Sequence, residues 1–412
     1  MKIAVMMRAM DHPGSLGLFT EGLVRSLLRL NTDHSYVLVY KERKHFGRFS
    51  QFKNVKEVLI RSSYKVIWDQ ILVPLTAWRE RADMILNPKF SVPLVTHCPV
   101  AMGLQEPAWW AIPEYHTKMN VLYMRAMLPL YCRKASHVFP WSKFVLEENR
   151  KYLRLPLDNA TLTPFAPASG FTQLRDARSL SEFRRRKGLP EKFILTVTRV
   201  LNMGNKSGAF TGTKNLETTV RAFCRIREQI PHQLVVVGRR AKEYLEHVGW
   251  KDFDGIQFAV FSYAEMPEVY QSSDLCVLPS FYEGCPTTLI EAMASGCITV
   301  ASNINAFAEV SAGAALLADP HDPTDFAGKM LQGITDARLR NELRKKSLRR
   351  AEVFNWERTA RLTIQALENV VKGKENKAAK TSRHQGTHGC GRSLAVDGNG
   401  PRAQLQGSPE GL

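Results

Sequence analysis

The chain has 412 residues, of which 44% are hydrophobic, enough for two or three domains with large buried cores. This composition excludes a wholly disordered chain, a small disulfide-stabilised domain and a collagen-like fibre. No run approaches the roughly 18 uninterrupted apolar residues that a membrane-spanning helix needs. The first apolar run breaks at Asp11 and favours a buried strand over a secretion signal. We therefore expect a cytoplasmic protein.

The seven cysteines and eleven histidines give no sign of a disulfide framework or a metal centre. The cysteines are odd in number and include no C-x-x-C pair, which suits buried thiols in a reducing compartment. The histidines form no H-E-x-x-H pattern. We therefore expect neither a metal ion nor a cofactor.

The net charge of +18 is distributed unevenly along the chain. Residues 1–180 carry 25 basic and 14 acidic side chains, whereas residues 181–370 carry 25 and 22. A basic first half attracts phosphate groups on nucleic acids, on anionic lipids or on a phosphorylated substrate. The alternative is charge that serves only solubility.

Short apolar runs alternate with helical patterns along most of the chain. The runs of the first half are KIAVMM, YVLVY, VKEVLI, DMILNP, PVAMGL and HVFPW. Residues 158–180 lack amphipathic periodicity, and after them come FILTVTR, QLVVVG, IQFAVF, DLCVLP and CITVAS. Such runs are typical of parallel strands buried on both faces and joined by helices. We predict an α/β fold of two doubly wound, Rossmann-like domains, at residues 1–165 and 181–355, with a linker at 166–180.

The carboxy-terminal part is predicted to contain one helix and a tail. Residues 356–372 place apolar side chains at helical spacing, from Trp356 through Ile364 to Val371, so this helix needs a surface to pack against. Residues 373–412 are poor in large apolar side chains, and we expect them to be disordered.

The richest chemistry lies in the segment DLCVLPSFYEGCPTTLIEAMASGCITVAS, residues 274–302. It predicts a buried strand, a turn, and a helix from about Pro286. The first N–H groups of that helix, those of Thr287 and Thr288, lack helical acceptors and suit a phosphate. Glu291 lies one turn further on and can accept hydrogen bonds from a vicinal diol. Alternatively, Glu291 only stabilises the helix end and Glu283 is a solvated loop residue.

Two basic residues are predicted at the same edge of the second sheet. Arg199 ends the run FILTVTR, and Lys214 precedes a helix from about Leu216 with Asn215 as its N-cap. Since fourteen residues separate the two basic residues, Lys214 can join Arg199 only if this insert loops out. Lys206, within the insert, is the alternative. Both basic residues could also be ordinary surface charges.

The segment from Glu283 to Glu291 resembles the E-x7-E signature of retaining glycosyltransferases of family 4. This resemblance implies the GT-B fold, with two domains facing a central cleft and a terminal helix crossing back to the first domain. It also implies that Glu283 contacts the transferred sugar, Glu291 holds the nucleotide ribose, and the turn from Gly284 meets the diphosphate. Arg199 and Lys214 take the family's diphosphate-binding positions.

Weaker matches extend the resemblance over residues 1 to about 370. Gly14 and Gly17 resemble a degraded form of the family's glycine-rich first loop. Arg239 follows another strand, and Tyr263 lies in the segment equivalent to the base-contacting loop. Gln105 stands where many relatives have a histidine, and it can donate a hydrogen bond but cannot become cationic.

A rival motif, Asp252-Phe253-Asp254, resembles the D-x-D that binds a divalent metal in the other major glycosyltransferase fold. It precedes a predicted strand instead of following one, which favours a loop.

The function expected from these residues is transfer of a sugar from a nucleotide diphosphate to a hydroxyl acceptor, retaining and independent of metal. The basic first half points to a glycan or lipid-linked acceptor and to peripheral attachment to the inner face of an anionic membrane, helped by Trp109 and Trp110. We do not expect nucleic acid as a partner. Two alternatives remain: a sugar-nucleotide hydrolase or epimerase of the same fold, and a non-catalytic protein that binds anionic polymers.

Overall fold

The computed structural model describes residues 1–12, 14–30, 33–202 and 210–386. It contains two six-stranded sheets, in each of which all neighbouring strands are parallel. The strands of the first sheet are β1 (Lys2–Met6), β2 (Ser35–Tyr40), β3 (Val55–Leu59), β4 (Met84–Asn87), β5 (Val100–Leu104) and β6 (His137–Pro140). The remaining strands are β7 (Phe193–Val197), β8 (Leu201–Asn202), β9 (Phe210–Thr211), β10 (Gln233–Val237), β11 (Ile256–Ala259), β12 (Leu275–Leu278), β13 (Thr299–Ser302) and β14 (Leu316–Ala318).

The two sheets share one strand order. The first runs β3-β2-β1-β4-β5-β6 and the second β11-β10-β7-β12-β13-β14. In register, Ala4 lies opposite Val37 and Ile85 in the first sheet. In such a sheet the chain reverses direction between the two central strands, and ligands bind outside the carboxyl ends of those strands. The switch points are therefore at β1 and β4 in one sheet and at β7 and β12 in the other.

The predicted α/β fold of two Rossmann-like domains is confirmed. Each of the eleven apolar runs contains a strand, because the runs are buried on both faces by helices. We call β1–β6, with the helices between them and the helix after β6, the first lobe. The second lobe comprises β7–β14 with the helices from Ala177 to Ala351.

The α-helices cover both faces of each sheet. Those of the first lobe are Ser15–Arg29, Lys65–Ile67, Val73–Arg79, Ala108–Ala111, Lys118–Lys134 and Lys143–Leu153, with a π-helical turn at Trp68–Leu72. The others are Ser169–Thr172, Ala177–Lys187, Leu216–Ile226, Ala241–His247, Met266–Ser272, Thr287–Ala294, Asn305–Ser311, Pro323–Thr335, Ala337–Ala351 and Trp356–Gly386. Helix Ala177–Lys187 begins inside the segment predicted as the linker.

The last helix crosses back onto the first lobe, as predicted. The ring of Trp356 packs against Phe19 with ring centroids 5.6 Å apart, and it lies so close to Gly22 that a side chain there would collide with it. Glu368, further along this helix, accepts a hydrogen bond of 2.8 Å from His34 of the first lobe. The helix extends to Gly386, beyond the predicted end at residue 372.

Residues 1–371 form one compact unit that contains both sheets. The predicted tail lies outside the described residues from position 387 onward. Within the described part of the chain, no helix is both long enough and apolar enough to span a bilayer.

Candidate active site between the two lobes

A cleft between the lobes brings together side chains from three strand ends. Its lining residues are Glu106, Ala108, Ile112, Tyr115 and His116 of the first lobe and Arg199, Thr213, Lys214, Tyr282 and Glu283 of the second. Arg199 follows β7 and Glu283 follows β12, the two central strands of the second sheet. The cleft thus lies at the switch point of that sheet, where its topology favours ligand binding.

The two ends of the insert between Arg199 and Lys214 pair with each other. Strands β8 and β9 pair antiparallel, with Leu201 opposite Thr211. This pairing returns the chain to its starting point, so Arg199 and Lys214 line the same cleft despite their separation. The alternative lysine, Lys206, lies outside the described residues.

Asn215 anchors Lys214 in a different way from the one predicted. It occupies the N-cap position of helix Leu216–Ile226 but makes no side-chain capping bond. Instead its buried side-chain amide donates to the carbonyls of Pro279 and Pro320, at 2.9 and 2.8 Å. These two carbonyls follow β12 and β14, so the asparagine ties the helix start to the edge of the sheet.

Lys214 and Glu283 form an ion pair in the cleft. The distance between Lys214 Nζ and Glu283 Oε1 is 2.5 Å, and both side chains are largely buried. A charge-assisted hydrogen bond of this kind holds both groups in place in a partly water-excluded site. The pair therefore presents a fixed cation and a fixed carboxylate beside Arg199.

Glu106 is a cleft residue that the sequence interpretation missed. Its side chain lies against Gly284, where an added Cβ would be 2.1 Å from Glu106 Oε2. Burial raises the pKa of Glu106 to about 7, and the nearby carboxylate of Glu283 adds to the rise. The sequence signal that could have identified Glu106 is its position directly after Gln105, the residue that replaces the family's histidine.

Helix Thr287–Ala294 starts at the cleft with Pro286 at its N-cap position, one residue later than expected. The N–H of Leu289 is bonded to the Pro286 carbonyl. The N–H groups of Thr287 and Thr288 precede this first turn and belong to the positive end of the helix. Ser142 of the first lobe donates a 2.8 Å hydrogen bond to the Gly284 carbonyl and holds the turn in place.

Glu291 is buried within the same helix, one turn below its start. Its carboxylate accepts hydrogen bonds from the hydroxyls of Tyr263 and Tyr270. Burial raises the pKa of Glu291 to about 7, against an ordinary value of 4.5. Tyr263 thus lies against Glu291, and both bonds favour the ionised form of the carboxylate.

The first lobe contributes Gly14 to the contact between the lobes. Its φ of +91° is a backbone conformation that suits glycine, and an added Cβ would lie 2.8 Å from a guanidinium nitrogen of Arg199. Gly17 is equally restricted, because a Cβ there would be 2.5 Å from the carbonyl oxygen of His12. The two glycines therefore allow the first loop to pass close to Arg199.

Among the predicted residues, Arg199, Lys214 and Glu283 line the cleft formed by the described residues, whereas Gln105 and Arg239 do not. Gln105 is held through its backbone carbonyl, which accepts a hydrogen bond from Asn149, and Arg239 is exposed after β10. The rival motif is a surface loop before β11, in which Asp252 and Asp254 both face Arg227.

The prediction that Trp109 helps to anchor a membrane is wrong. Trp109 is only 7% exposed, because its ring packs against Phe90 and His116. Trp110 is half-buried, with the guanidinium of Arg125 over its ring.

Residues 203–336 match the family model described as "Glycosyl transferases group 1". O-antigen chain mannosyltransferase B of Escherichia coli is 26% identical over 62% of this chain and 66% of its own length. The serotype-specific mannosyltransferase WbdA of Escherichia coli is 24% identical over 60% of this chain and 31% of its own. The chain thus spans less than two thirds of either relative.

Solved structures share the whole two-lobed fold. The Anabaena protein HepE in complex with UDP-glucose superposes with a TM-score of 0.68 at 14% identity, covering 89% of this chain and 99% of its own. The two six-stranded parallel sheets and the crossing helix are therefore those of the GT-B fold.

Proposed function

We propose that this chain is a retaining, metal-independent glycosyltransferase of family 4, which transfers a hexosyl group from a nucleoside diphosphate to a hydroxyl of a glycan or lipid-linked acceptor. The observation that carries the proposal is the Lys214–Glu283 ion pair beside Arg199 at the switch point of the second sheet. The match of residues 203–336 to a glycosyltransferase family model supports it.

The cationic groups of the cleft are suited to a departing diphosphate. Negative charge builds on the leaving group in a transition state that resembles an oxocarbenium ion. Arg199, Lys214 and the N-terminus of helix Thr287–Ala294 offer fixed positive charge. Such charge accelerates the reaction when it stabilises the transition state more than it stabilises the ground state. These groups take the part that a divalent metal plays elsewhere.

The acidic groups are suited to the two sugars of the donor. Glu283 faces the cleft, where it can contact the transferred hexose. Glu291 accepts hydrogen bonds from the ribose diol once the nucleotide displaces a tyrosine hydroxyl from its carboxylate. No protein nucleophile is required, because the departing phosphate accepts the proton of the acceptor hydroxyl. Closure of the two lobes limits hydrolysis of the donor by excluding water.

The relatives guide the choice of substrate. Their names describe mannosyltransferases, one of them of the O-antigen chain, so a nucleoside diphosphate mannose is the first donor to test. A bacterial surface polysaccharide is the corresponding product class.

An apolar stripe on the first lobe supports attachment to a membrane surface. Along residues 65–79 the exposed side chains include Ile67, Ile71 and Trp78, the last being 62% exposed. They recur at helical spacing on the side opposite the buried Trp68 and Val73. Exposed Arg61, Arg79 and Arg81 lie beside this stripe in the sequence. An apolar helical face flanked by basic residues suits an anionic bilayer.

Nucleotide-sugar binding and turnover test the proposed activity. A thermal-shift screen against UDP-, GDP- and ADP-sugars should show stabilisation by one donor class, because ligand binding to the folded chain raises its stability. Transfer should then require an added glycan acceptor. Donor turnover at the same rate without acceptor would instead identify a hydrolase, and no binding to any nucleotide sugar would contradict the proposal.

A further inference from the structure

A cluster of basic side chains occupies the switch point of the first sheet, in the opposite lobe from Arg199, Lys214 and Glu283. Arg8 and His12 follow β1, and Lys89 follows β4, the two central strands of that sheet. Lys65 joins them from the start of the helix that carries the apolar stripe. Crevices at such a point are where ligands bind in doubly wound folds.

Lys89 is built into this cluster. The residue is only 6% exposed, and its backbone N–H donates to the side chain of Asn87, which fixes the turn after β4. Gly103 on the neighbouring strand has no side chain, so the Pro88 carbonyl can pass it closely. Lys89 Nζ lies 2.7 Å from His12 Nε2, a distance at which the ammonium donates to the ring nitrogen.

The cluster carries more positive than negative charge. Asp69 is the acidic side chain that acts on Lys89 among the described residues, and two hydrogen bonds of 3.0 and 2.9 Å from Arg8 already occupy it. The Nζ atom of Lys65 lies over the ring of Tyr123, 5.5 Å from its centroid. Lys65 and Lys89 are thus two cations without a carboxylate of their own in the described part of the chain.

This arrangement is costly without an anion. Burial, followed by repulsion from Arg8 and Lys65, lowers the pKa of Lys89 to about 7. Burial and the charge of Lys89 lower the pKa of His12 to about 4. A buried ammonium is stabilised by a charged acceptor. A phosphate ester, with a charge of about −1.5 to −2, matches the two uncompensated lysines.

We propose that His12, Lys65 and Lys89, supported by the Arg8–Asp69 pair, form a binding pocket for a phosphate monoester group of the acceptor. The acceptor role rests on the proposed function, whereas phosphate binding itself does not. The position fits this role, because His12 lies two residues before Gly14, which contacts Arg199 in the donor cleft. Lys65 also begins the helix whose outer face is proposed to meet a membrane, so a lipid headgroup could reach the pocket.

Calorimetric titration of the full chain with phenyl phosphate tests the pocket, with phenol as the uncharged control. We expect Lys89→Met to weaken phenyl phosphate binding at least tenfold and Lys65→Met, at a partly exposed position, to weaken it several-fold. Lys53→Met, which removes an exposed charge of the same lobe, should leave binding unchanged. Equal weakening by all three variants, or absent binding to the wild-type chain, would overturn the proposal.

A nucleotide titration separates this pocket from the donor site. The Lys65 and Lys89 variants should bind the donor nucleotide as the wild type does, and equal loss of nucleotide and phenyl phosphate would assign the cluster to the donor and overturn the acceptor role. Vesicles containing phosphatidic acid and inorganic phosphate, used as competitors, identify the source of the phosphate. Stronger competition by vesicles supports a lipid headgroup, and stronger competition by inorganic phosphate supports a soluble phosphate ester.

Discussion

The carboxylate of Glu309, in the second lobe, accepts a hydrogen bond of 2.7 Å from the backbone N–H of Lys143 in the first lobe. Its other oxygen accepts one of the same length from the N–H of Phe144. These are the first two residues of helix Lys143–Leu153, whose own N-cap, Ser142, also binds the Gly284 carbonyl. One lobe thus caps a helix of the other, directly beside the turn that carries Glu283.

Glu309→Ala should therefore loosen the contact between the lobes. Removing a carboxylate that caps a helix N-terminus costs about 1 to 2 kcal/mol, or roughly 2 to 8 °C in the thermal midpoint for a domain of this size. Differential scanning calorimetry measures the change. Glu342→Ala, which breaks an exposed pair with Lys346, should lower the midpoint by less than half as much. Equal effects of the two variants would contradict the capping role.

The pH dependence of stability should reveal Glu291. Its pKa is about 7 in the folded chain and near 4.5 in the unfolded chain, so the folded state binds more protons between these values. Stability contributed by this group therefore falls as pH rises from about 4.5 to 7. The glutamine of Glu291→Gln cannot ionise. As the pH rises from 4.5 to 8, the free energy of unfolding of this variant should therefore increase relative to that of the wild type by up to about 3 kcal/mol.

Chemical denaturation at a series of pH values measures this difference. Glu246→Gln provides the control, because Glu246 is an exposed residue that pairs loosely with Lys242. Its stability curve should run parallel to that of the wild type. A parallel curve for Glu291→Gln as well would show that Glu291 titrates normally. Donor binding should strengthen as the pH rises towards 8, whereas stability falls, because a ribose diol donates hydrogen bonds to the ionised carboxylate of Glu291.

Most of the fold could be predicted from the sequence because buried parallel strands leave continuous apolar runs. The run around Leu316 was missed as a strand, since β14 has three residues, two of them only half-buried at the sheet edge. The end of the last helix was also missed. Its apolar stripe stops near Val371, whereas the helix continues through polar residues that give no periodic signal.

The candidate site could be predicted less completely, because a sequence shows residue types but not which loops meet. Arg199 and Glu283 follow strand ends and Lys214 precedes a helix, and these positions indicated that the three residues converge. Glu106 also follows a strand, β5, but its contact with Gly284 of the other lobe cannot be read from the sequence. Trp109 was misinterpreted because the sequence does not show that its ring packs against Phe90 and His116.

Gly14→Ala tests the approach of the first lobe to Arg199. Gly47 supplies a matched control, since its φ of +88° nearly equals that of Gly14 but nothing lies within 4 Å of its added Cβ. Both variants should lose about 1 kcal/mol of stability from the unfavourable backbone conformation. Only Gly14→Ala should lower kcat/KM for sugar transfer, by at least tenfold, because its methyl group displaces the guanidinium. Equal values of kcat/KM for the two variants would contradict a role for Gly14 in the site.

Lys214→Met and Glu283→Gln should each reduce kcat by about 100- to 1000-fold, the usual loss when one electrostatic contact to a transition state is removed. Because the two side chains form one pair, the double variant should lose less than the product of the single losses. Initial rates at saturating donor measure kcat, and circular dichroism checks the fold. Lys346→Met, on an exposed helix of the same lobe, should retain wild-type rates. Wild-type rates in either cleft variant would contradict the assigned roles.

Substitution of the apolar stripe should weaken membrane binding without altering the cleft. Ile71 and Trp78 are 57% and 62% exposed, and burying such side chains contributes about 1.5 to 3 kcal/mol each. Ile71→Ser with Trp78→Ser should therefore reduce co-sedimentation with phosphatidylglycerol-containing vesicles at least tenfold. Val260→Ser, which removes an exposed apolar side chain of the second lobe, is the control and should bind as the wild type does.

The electrostatic part of membrane binding should appear in its response to salt and to lipid charge. The basic residues around the stripe attract anionic headgroups by about 1 kcal/mol each near the surface, and raising the salt concentration screens this attraction. Binding of the wild-type chain should fall between 50 mM and 500 mM salt and should be weak on neutral phosphatidylcholine. Equal binding to neutral and anionic vesicles at both salt concentrations would leave only the apolar contribution, and the basic residues would then have no role in attachment.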